Sequence, residues 1–348
     1  MAERTEKPKK SKMPTIVDVA ARAGVTIGTV SHVLNKTAPI SEETTRRVLA
    51  AIRELGYKPN SIARALRTKK SCVIGFLLPD ITNDFYTPVL STFIDHAHQD
   101  GYTVLVVSYQ YSAKREEIEI DRLVDKNVDG ILLFNGCDDL PVLRRIKEAG
   151  IPLVVADRRL DEIDLPTVGY DNVKTVCRVV DMLCKKGCRR IGFLSESTRL
   201  SNLYDRYAGY QKGLAQNGIA LCPELVYISE NLEMNNLEQG YLYIKHILKN
   251  TPRQELPDAI FATTDLLAIG AMRALEEMGF QIPQDIGVVG FDNIAFTEFI
   301  KPKLTTVEQD KNMMGSVAWE VLKNVIDGKS KQTQHVLLPQ KIIIKESC

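Results

Sequence analysis

The chain has 348 residues, enough for two or three domains with buried cores. Its 44% hydrophobic and 26% charged content excludes a chain disordered throughout and a fibrous one, and no apolar run approaches the length that spans a bilayer. The formal net charge of +1 hides an asymmetry: residues 1–70 carry 15 Lys and Arg against 6 Asp and Glu, and the remainder carries 30 against 38. A small basic head on a large acidic body is the charge distribution of a nucleic-acid-binding module fused to something else.

The first residues, Met1 to Lys10, are charged and lack the apolar core of a signal peptide, which excludes classical secretion; residues 1–14 read as a disordered basic tail. Seven cysteines without a C-x-x-C pair read as reduced thiols of a cytoplasmic protein. Cys184 and Cys188 are four apart, but Gly187 ends their helix and no second ligand pair follows, so they read as packing thiols rather than a metal site.

Thr15 is placed to cap a helix over Ile16–Ala23, Asp18 suits its positive end, and Gly24 suits the left-handed turn that stops it. Thr26 caps a second helix over roughly 27–36. At 100° per residue Val30, Val33 and Leu34 face inward, while Gly28, His32 and Asn35 face out, flanked by Thr29 and Ser31. The outward set is small or hydrogen-bonding, which suits a major groove better than the Glu and Lys of a merely solvated helix. Ser41 caps a third helix, whose Val48, Leu49, Ile52 and Leu55 are expected to complete a small core before Gly56. Beyond Pro59, residues 60–67 favour a helix too short to stand alone, and Leu66 suits either packing or a minor-groove wedge.

Thr15 to Ala20, Ala23-Gly24-Val25-Thr26, Thr29-Val30-Ser31, Asn35, Leu55-Gly56-Tyr57 and Pro59 to Leu66 together resemble the LacI/GalR family of bacterial transcriptional regulators. The resemblance implies that Thr26, Ile27, Gly28, Thr29, Ser31, His32 and Asn35 meet the major groove. It also implies that Asn60, Ala63, Arg64 and Leu66 belong to a hinge helix in the minor groove. The family usually carries Arg where this chain has His32, so the base read there is expected to differ.

From Cys72 onward short apolar runs alternate with helical stretches. The expected strands are Val73–Leu78, Thr103–Ser108, Gly130–Phe134, Leu153–Ala156, Arg190–Leu194, Ala259–Ala262 and Gly287–Phe291. Such alternation predicts parallel sheets covered by helices on both faces, with ligands bound beyond the carboxyl ends of the strands. Those ends carry Asp80 to Tyr86, Asn135, Asp157-Arg158-Arg159, Ser195 to Arg206, Thr263 to Asp265 and Asp292-Asn293. Carboxylates, Arg and aromatics suit a polyhydroxy ligand. Asp157 and Thr264, taken singly, fit a helix cap as well as a ligand contact. Arg206, Asp265 beside Thr264, and Asp292 stand where the family's effector-binding residues stand, and Phe85-Tyr86 match an aromatic pair that covers the ligand in some members. Arg206 is expected to keep neighbouring carboxylates ionised.

The fold expected from the resemblance is a small all-α helix-turn-helix head (15–58) and a hinge (59–70) leading to a periplasmic-binding-protein-like α/β body (71–348). The body comprises two doubly wound parallel-sheet lobes, an N-lobe of about 71–170 and 305–331 and a C-lobe of about 171–304 and 332–348, with a single final strand over His335–Ile344. The partners implied are double-stranded operator DNA, a small effector of the carbohydrate or nucleoside class (a sugar, a sugar phosphate, or a nucleoside or base) and a second copy of the chain. In one branch of the family a protein corepressor takes the effector's place. No cofactor or metal is expected. No heptad repeat follows Lys341, so a dimer rather than a tetramer is expected. No dinucleotide, P-loop, zincin or nucleophile-elbow motif occurs and the five histidines are scattered, so no enzyme activity is expected.

Overall fold

The computed structural model describes residues 14–35, 37–57, 70–136, 140–158, 160, 162–232, 236–329 and 332–348. They form two compact units, residues 1–71 and 72–348.

In the first unit, α1 (Ile16–Ala23), α2 (Ile27–Asn35) and α3 (Glu42–Leu55) enclose a core of Val19, Ala20, Ala23, Val30, Val48 and Ala51. Asp18 does more than place a charge at the start of α1. Its carboxylate accepts from the Thr15 backbone N–H at 2.7 Å while the Thr15 hydroxyl accepts from the Asp18 N–H, a reciprocal capping box. Gly24 ends α1 at φ 64°, and Arg47 of α3 donates to the Ala23 carbonyl at 2.5 Å, tying the turn to the third helix. Leu49 departs from expectation: it is 43% exposed, and Ala51 takes the core place. The buried stripe of α3 follows i, i+3, i+4, i+7 from Val48, which leaves Leu49 one residue and 100° away from it.

The second unit contains two six-stranded sheets. The first is ordered β11-β5-β4-β3-β1-β2, from β1 (Val73–Leu78), β2 (Thr103–Ser108), β3 (Gly130–Phe134), β4 (Leu153–Ala156), β5 (Thr167–Tyr170) and β11 (His335–Leu338). Its helices are α4 (Tyr86–Gln99), α5 (Ala113–Asp125), α6 (Leu140–Glu148) and α11 (Lys311–Ile326). Phe76, Phe93, Phe134 and Trp319 pack on one face, and Leu77, Ile120, Leu133 and Leu143 on the other. The second sheet is ordered β12-β10-β9-β8-β6-β7, from β6 (Ile191–Ser195), β7 (Val226–Ile228), β8 (Ala259–Ala262), β9 (Gly287–Asp292), β10 (Thr305–Gln309) and β12 (Gln340–Ile343). It is flanked by α7 (Asn172–Lys185), α8 (Ser201–Gln216), α9 (Asn236–Asn250) and α10 (Asp265–Glu277). All pairings are parallel except β10 with β12.

The chain crosses between lobes after Tyr170, after Gln309 and between Leu338 and Gln340. This corrects the expected boundaries. Residues 305–309 belong to the C-lobe, where β10 pairs with β9, and the stretch expected as one strand over His335–Ile344 divides between the two sheets. β10 escapes a hydrophobic reading because Thr305, Thr306 and Gln309 are buried through hydrogen bonds rather than apolarity. Ser347 accepts from the Thr305 N–H at 2.8 Å, and the Thr306 hydroxyl donates to Asp265 at 2.5 Å.

Candidate functional site

On the head, the second helix turns its expected face outward. Thr26, Ile27, Gly28, His32 and Asn35 are exposed, and Thr29 and Ser31 half-buried. The Thr26 hydroxyl caps the helix by accepting from the Thr29 N–H at 3.1 Å. His32 Nδ1 lies 2.9 Å from the Thr37 hydroxyl, which orients the ring, and Asn35 donates to the Ser31 carbonyl at 2.8 Å. Ile27, 48% exposed, is the one large apolar side chain of the face. Asn60, Ala63, Arg64 and Leu66 lie outside the described residues, as does Arg159.

In the body, the carboxyl ends of strands from both sheets converge on a cavity of about 520 Å³. The N-lobe contributes Asn83, Phe85, Tyr86, Tyr109, Tyr111, Asn135 and Asp157; the C-lobe contributes Glu196, Ser197, Arg199, Asn202, Arg206, Thr264 and Asp292, among others. Tyr111, Asn135, Asp157 and Asp292 all have positive φ, at 55°, 57°, 53° and 114°. A left-handed residue at the end of a strand turns the chain sharply, and Asn and Asp tolerate it best. Four such residues around the cavity, three from the N-lobe and one from the C-lobe, mark backbone strain concentrated at a site.

Asp157 and Arg206 organise the interior. Asp157 Oδ2 accepts from Asn202 Nδ2 at 2.8 Å, a bond that spans the lobes, while Oδ1 is buried without a hydrogen-bond partner among the described residues. Asn135 sits between the aromatic wall and Asp157: its amide oxygen accepts from the Tyr86 hydroxyl at 2.9 Å and its nitrogen donates to the Asp157 carbonyl at 2.7 Å. The Arg206 guanidinium, 3% exposed, donates to the Thr263 carbonyl at 2.6 Å and lies 3.9 Å from the centroid of the Phe291 ring. α8 can carry Arg206 this deep because Gly209 faces α7: a Cβ there would meet the Val173 carbonyl at 2.7 Å.

Burial pushes the Asp157 carboxyl up to about 6, against the opposing pull of Arg206 and the Asn202 hydrogen bond. Asp292, whose Oδ1 accepts from Gln309 at 2.7 Å, is likewise raised by burial, against Arg206 and Lys311. The expectation that Arg206 would keep these carboxylates far from neutrality is therefore corrected, although both stay mostly ionised at pH 7. Desolvation outweighs one shared guanidinium.

Asp265 is a second correction. It lies outside the cavity and is fully buried, accepting from the Ile294 N–H at 2.8 Å and from Thr306, beneath the Cα of Gly290. A Cβ at Gly290 would stand 2.3 Å from Asp265 Oδ1, so the glycine makes room for a carboxylate that braces β9 against β10. Its neighbour Thr264 caps α10 through the Leu267 N–H at 3.3 Å and also lines the cavity. Tyr109, Tyr111, Glu196 and Asn202 were not singled out from sequence. Their positions just past β2 and β6 were the available signal, but polar residues are ordinary in such loops.

Residues 15–60 match the family of bacterial regulatory proteins, lacI family, and residues 180–348 match the periplasmic binding protein-like domain. The chain is similar to the HTH-type transcriptional regulator RegA of Clostridium saccharobutylicum, 35% identical over 335 residues that cover 96% of this chain and 98% of that one. It is 33% identical to the ribose operon repressor of Halalkalibacterium halodurans, over 96% of this chain and 97% of that one. The fold is similar to the lac repressor dimer bound to operator and the anti-inducer ONPF, with a TM-score of 0.85 at 25% identity, covering 97% of this chain and 99% of that one.

Proposed function

Since the chain belongs to the lacI family of bacterial regulatory proteins, which are DNA-binding transcriptional regulators, we propose that it acts as a dimeric repressor on a near-palindromic operator, gated by a small polyhydroxy effector. Each head reads one half-site through Thr26, Ile27, Gly28, Thr29, Ser31, His32 and Asn35 in the major groove. Asn60, Ala63, Arg64 and Leu66 enter the minor groove at the centre of the operator. The contact of His32 Nδ1 with Thr37 leaves Nε2 as the ring atom available to a base edge.

Phe85, Tyr86, Asp157, Arg206, Thr264 and Asp292 hold the effector; Asp265 serves the fold. The observation that carries this reading is the cavity built from strand ends of both lobes and bridged by the Asp157–Asn202 hydrogen bond. An occupant that donates to Asp157 Oδ1 engages the same carboxylate that Asn202 holds from the other lobe through Oδ2, so its binding free energy acts on the relation between the lobes. Effector and operator affinities are then reciprocally coupled. The relative named as a ribose operon repressor is in keeping with a polyhydroxy effector.

The test is selection of bound duplexes from random DNA by the purified chain at near-physiological salt. Enrichment of a near-palindrome is the expected result, and it supplies the probe for an effector screen by operator release. Binding without any enriched sequence would sink the repressor reading.

A further inference from the structure

The hydrogen-bonding capacity left over in the cavity is lopsided. The Tyr86 hydroxyl donates to Asn135, the Tyr109 hydroxyl to the Phe134 carbonyl at 2.9 Å, and the Asn202 amide to Asp157. The oxygens of Asn83 and Thr264 accept from the backbone N–H groups of Phe85 and Leu267. Acceptors remain: Asp157 Oδ1, buried and unpartnered among the described residues, and the Asp292 carboxylate, for which Gln309 is the hydrogen-bond donor. Glu196, also on the wall, accepts from Asn236.

Positive charge in the lining is already committed. Arg206 is fastened to Thr263, to Asn172 and to the Phe291 face, and both Asp157 and Asp292 draw on its charge. Arg199 pairs with Glu230 at the exposed rim. No lysine or histidine lines the cavity among the described residues. Ionised carboxylates accept hydrogen bonds and cannot donate them, and the ionised phosphate or carboxylate group of a ligand likewise only accepts. Such a ligand would bring negative charge against Asp157, Asp292 and Glu196 in a desolvated space.

We propose that the cavity selects on charge and donor count: it takes an uncharged polyhydroxy effector whose hydroxyls donate to Asp157 and Asp292, and it rejects phosphorylated or acidic forms of the same compound. The proposal rests on the reading of this cavity as the effector site. Discrimination comes as much from repulsion of the anion as from attraction of the neutral form.

The experiment is thermal-shift screening of the full chain, followed by calorimetry, with neutral pentoses, hexoses and disaccharides and with phosphate esters of the same pentoses and hexoses. A neutral sugar is expected to bind at least about 100-fold more tightly than its phosphate ester, in line with the cost of like-charge juxtaposition. Asp292→Asn and Asp157→Asn, each shown folded by its own unfolding transition, should narrow that ratio by removing the repulsive charge. A phosphate ester binding as tightly as its parent sugar overturns the charge selection while leaving the effector site in place. No shift with any compound overturns both readings.

Discussion

Asp157 and Asp265 are both buried carboxylates at strand ends, and their surroundings give them opposite tasks. Asp265 is satisfied by Thr306 and the Ile294 N–H. Truncating Asp265 to Ala strands a buried hydroxyl and a buried amide, so about 2–3 kcal/mol of stability should be lost, read by chemical denaturation. Asp157 retains an unmet acceptor, and raising its carboxyl from 3.8 to about 6 corresponds to roughly 3 kcal/mol against the charged form. The sign follows from proton binding. Between about pH 4 and 6 the folded chain holds this proton more tightly than the unfolded chain, so this group favours folding as the pH falls and costs stability above 6. Effector binding through hydroxyl donors needs the ionised form and should weaken as the pH drops from 7.5 to 5.5. Calorimetry should therefore show effector affinity falling over that range. Asp157→Asn should raise the melting temperature of the ligand-free chain while weakening the effector response; a lowered melting temperature would assign Asp157 to the fold instead.

Among the elements, α3 shows how narrow a helical stripe is. Val48 is fully buried, and Leu49 one position on is 43% exposed. Val48→Ala should destabilise the head by about 1–3 kcal/mol through lost apolar burial and the cavity left behind, whereas Leu49→Ala should change it by no more than about 0.5 kcal/mol. Hydrogen exchange of the head amides in the full chain separates the two. α8 joins lobe packing to the cavity: one turn carries Asn202 to Asp157 and Arg206 to Thr263, while Gly209 holds the helix tight against α7. Replacing Asn202 with Ala removes the bridge between lobes and leaves Arg206 seated. The expected outcome is a change in the mean lobe separation seen by small-angle scattering, together with a shifted operator affinity in the absence of effector. An unchanged operator affinity would show that the bridge carries no coupling.

For the whole molecule, the three crossings between lobes mean that neither lobe is continuous in sequence, so the body should unfold as one cooperative unit. The same crossings explain which features were legible in the chain and which were not. The head helices, and the strands whose residues form unbroken apolar runs (β1, β2, β3, β4 and β8), could be read directly. In those segments local periodicity and burial are the same fact. The cavity's composition was also legible in outline, since Phe85, Tyr86, Asp157, Arg206 and Asp292 all fall just after strands or on the helices that follow them. Tertiary structure alone decided that β10 belongs to the C-lobe, that the final stretch divides between two sheets, and that Asp265 braces the fold while Thr264 beside it meets the cavity. It alone decided too that burial outweighs Arg206 at Asp157. Each of these turns on partners distant in the chain, such as Thr306 for Asp265 and Asn202 for Asp157. A local pattern records how a segment folds, whereas the charge state and task of a buried polar group depend on what the rest of the chain brings to it.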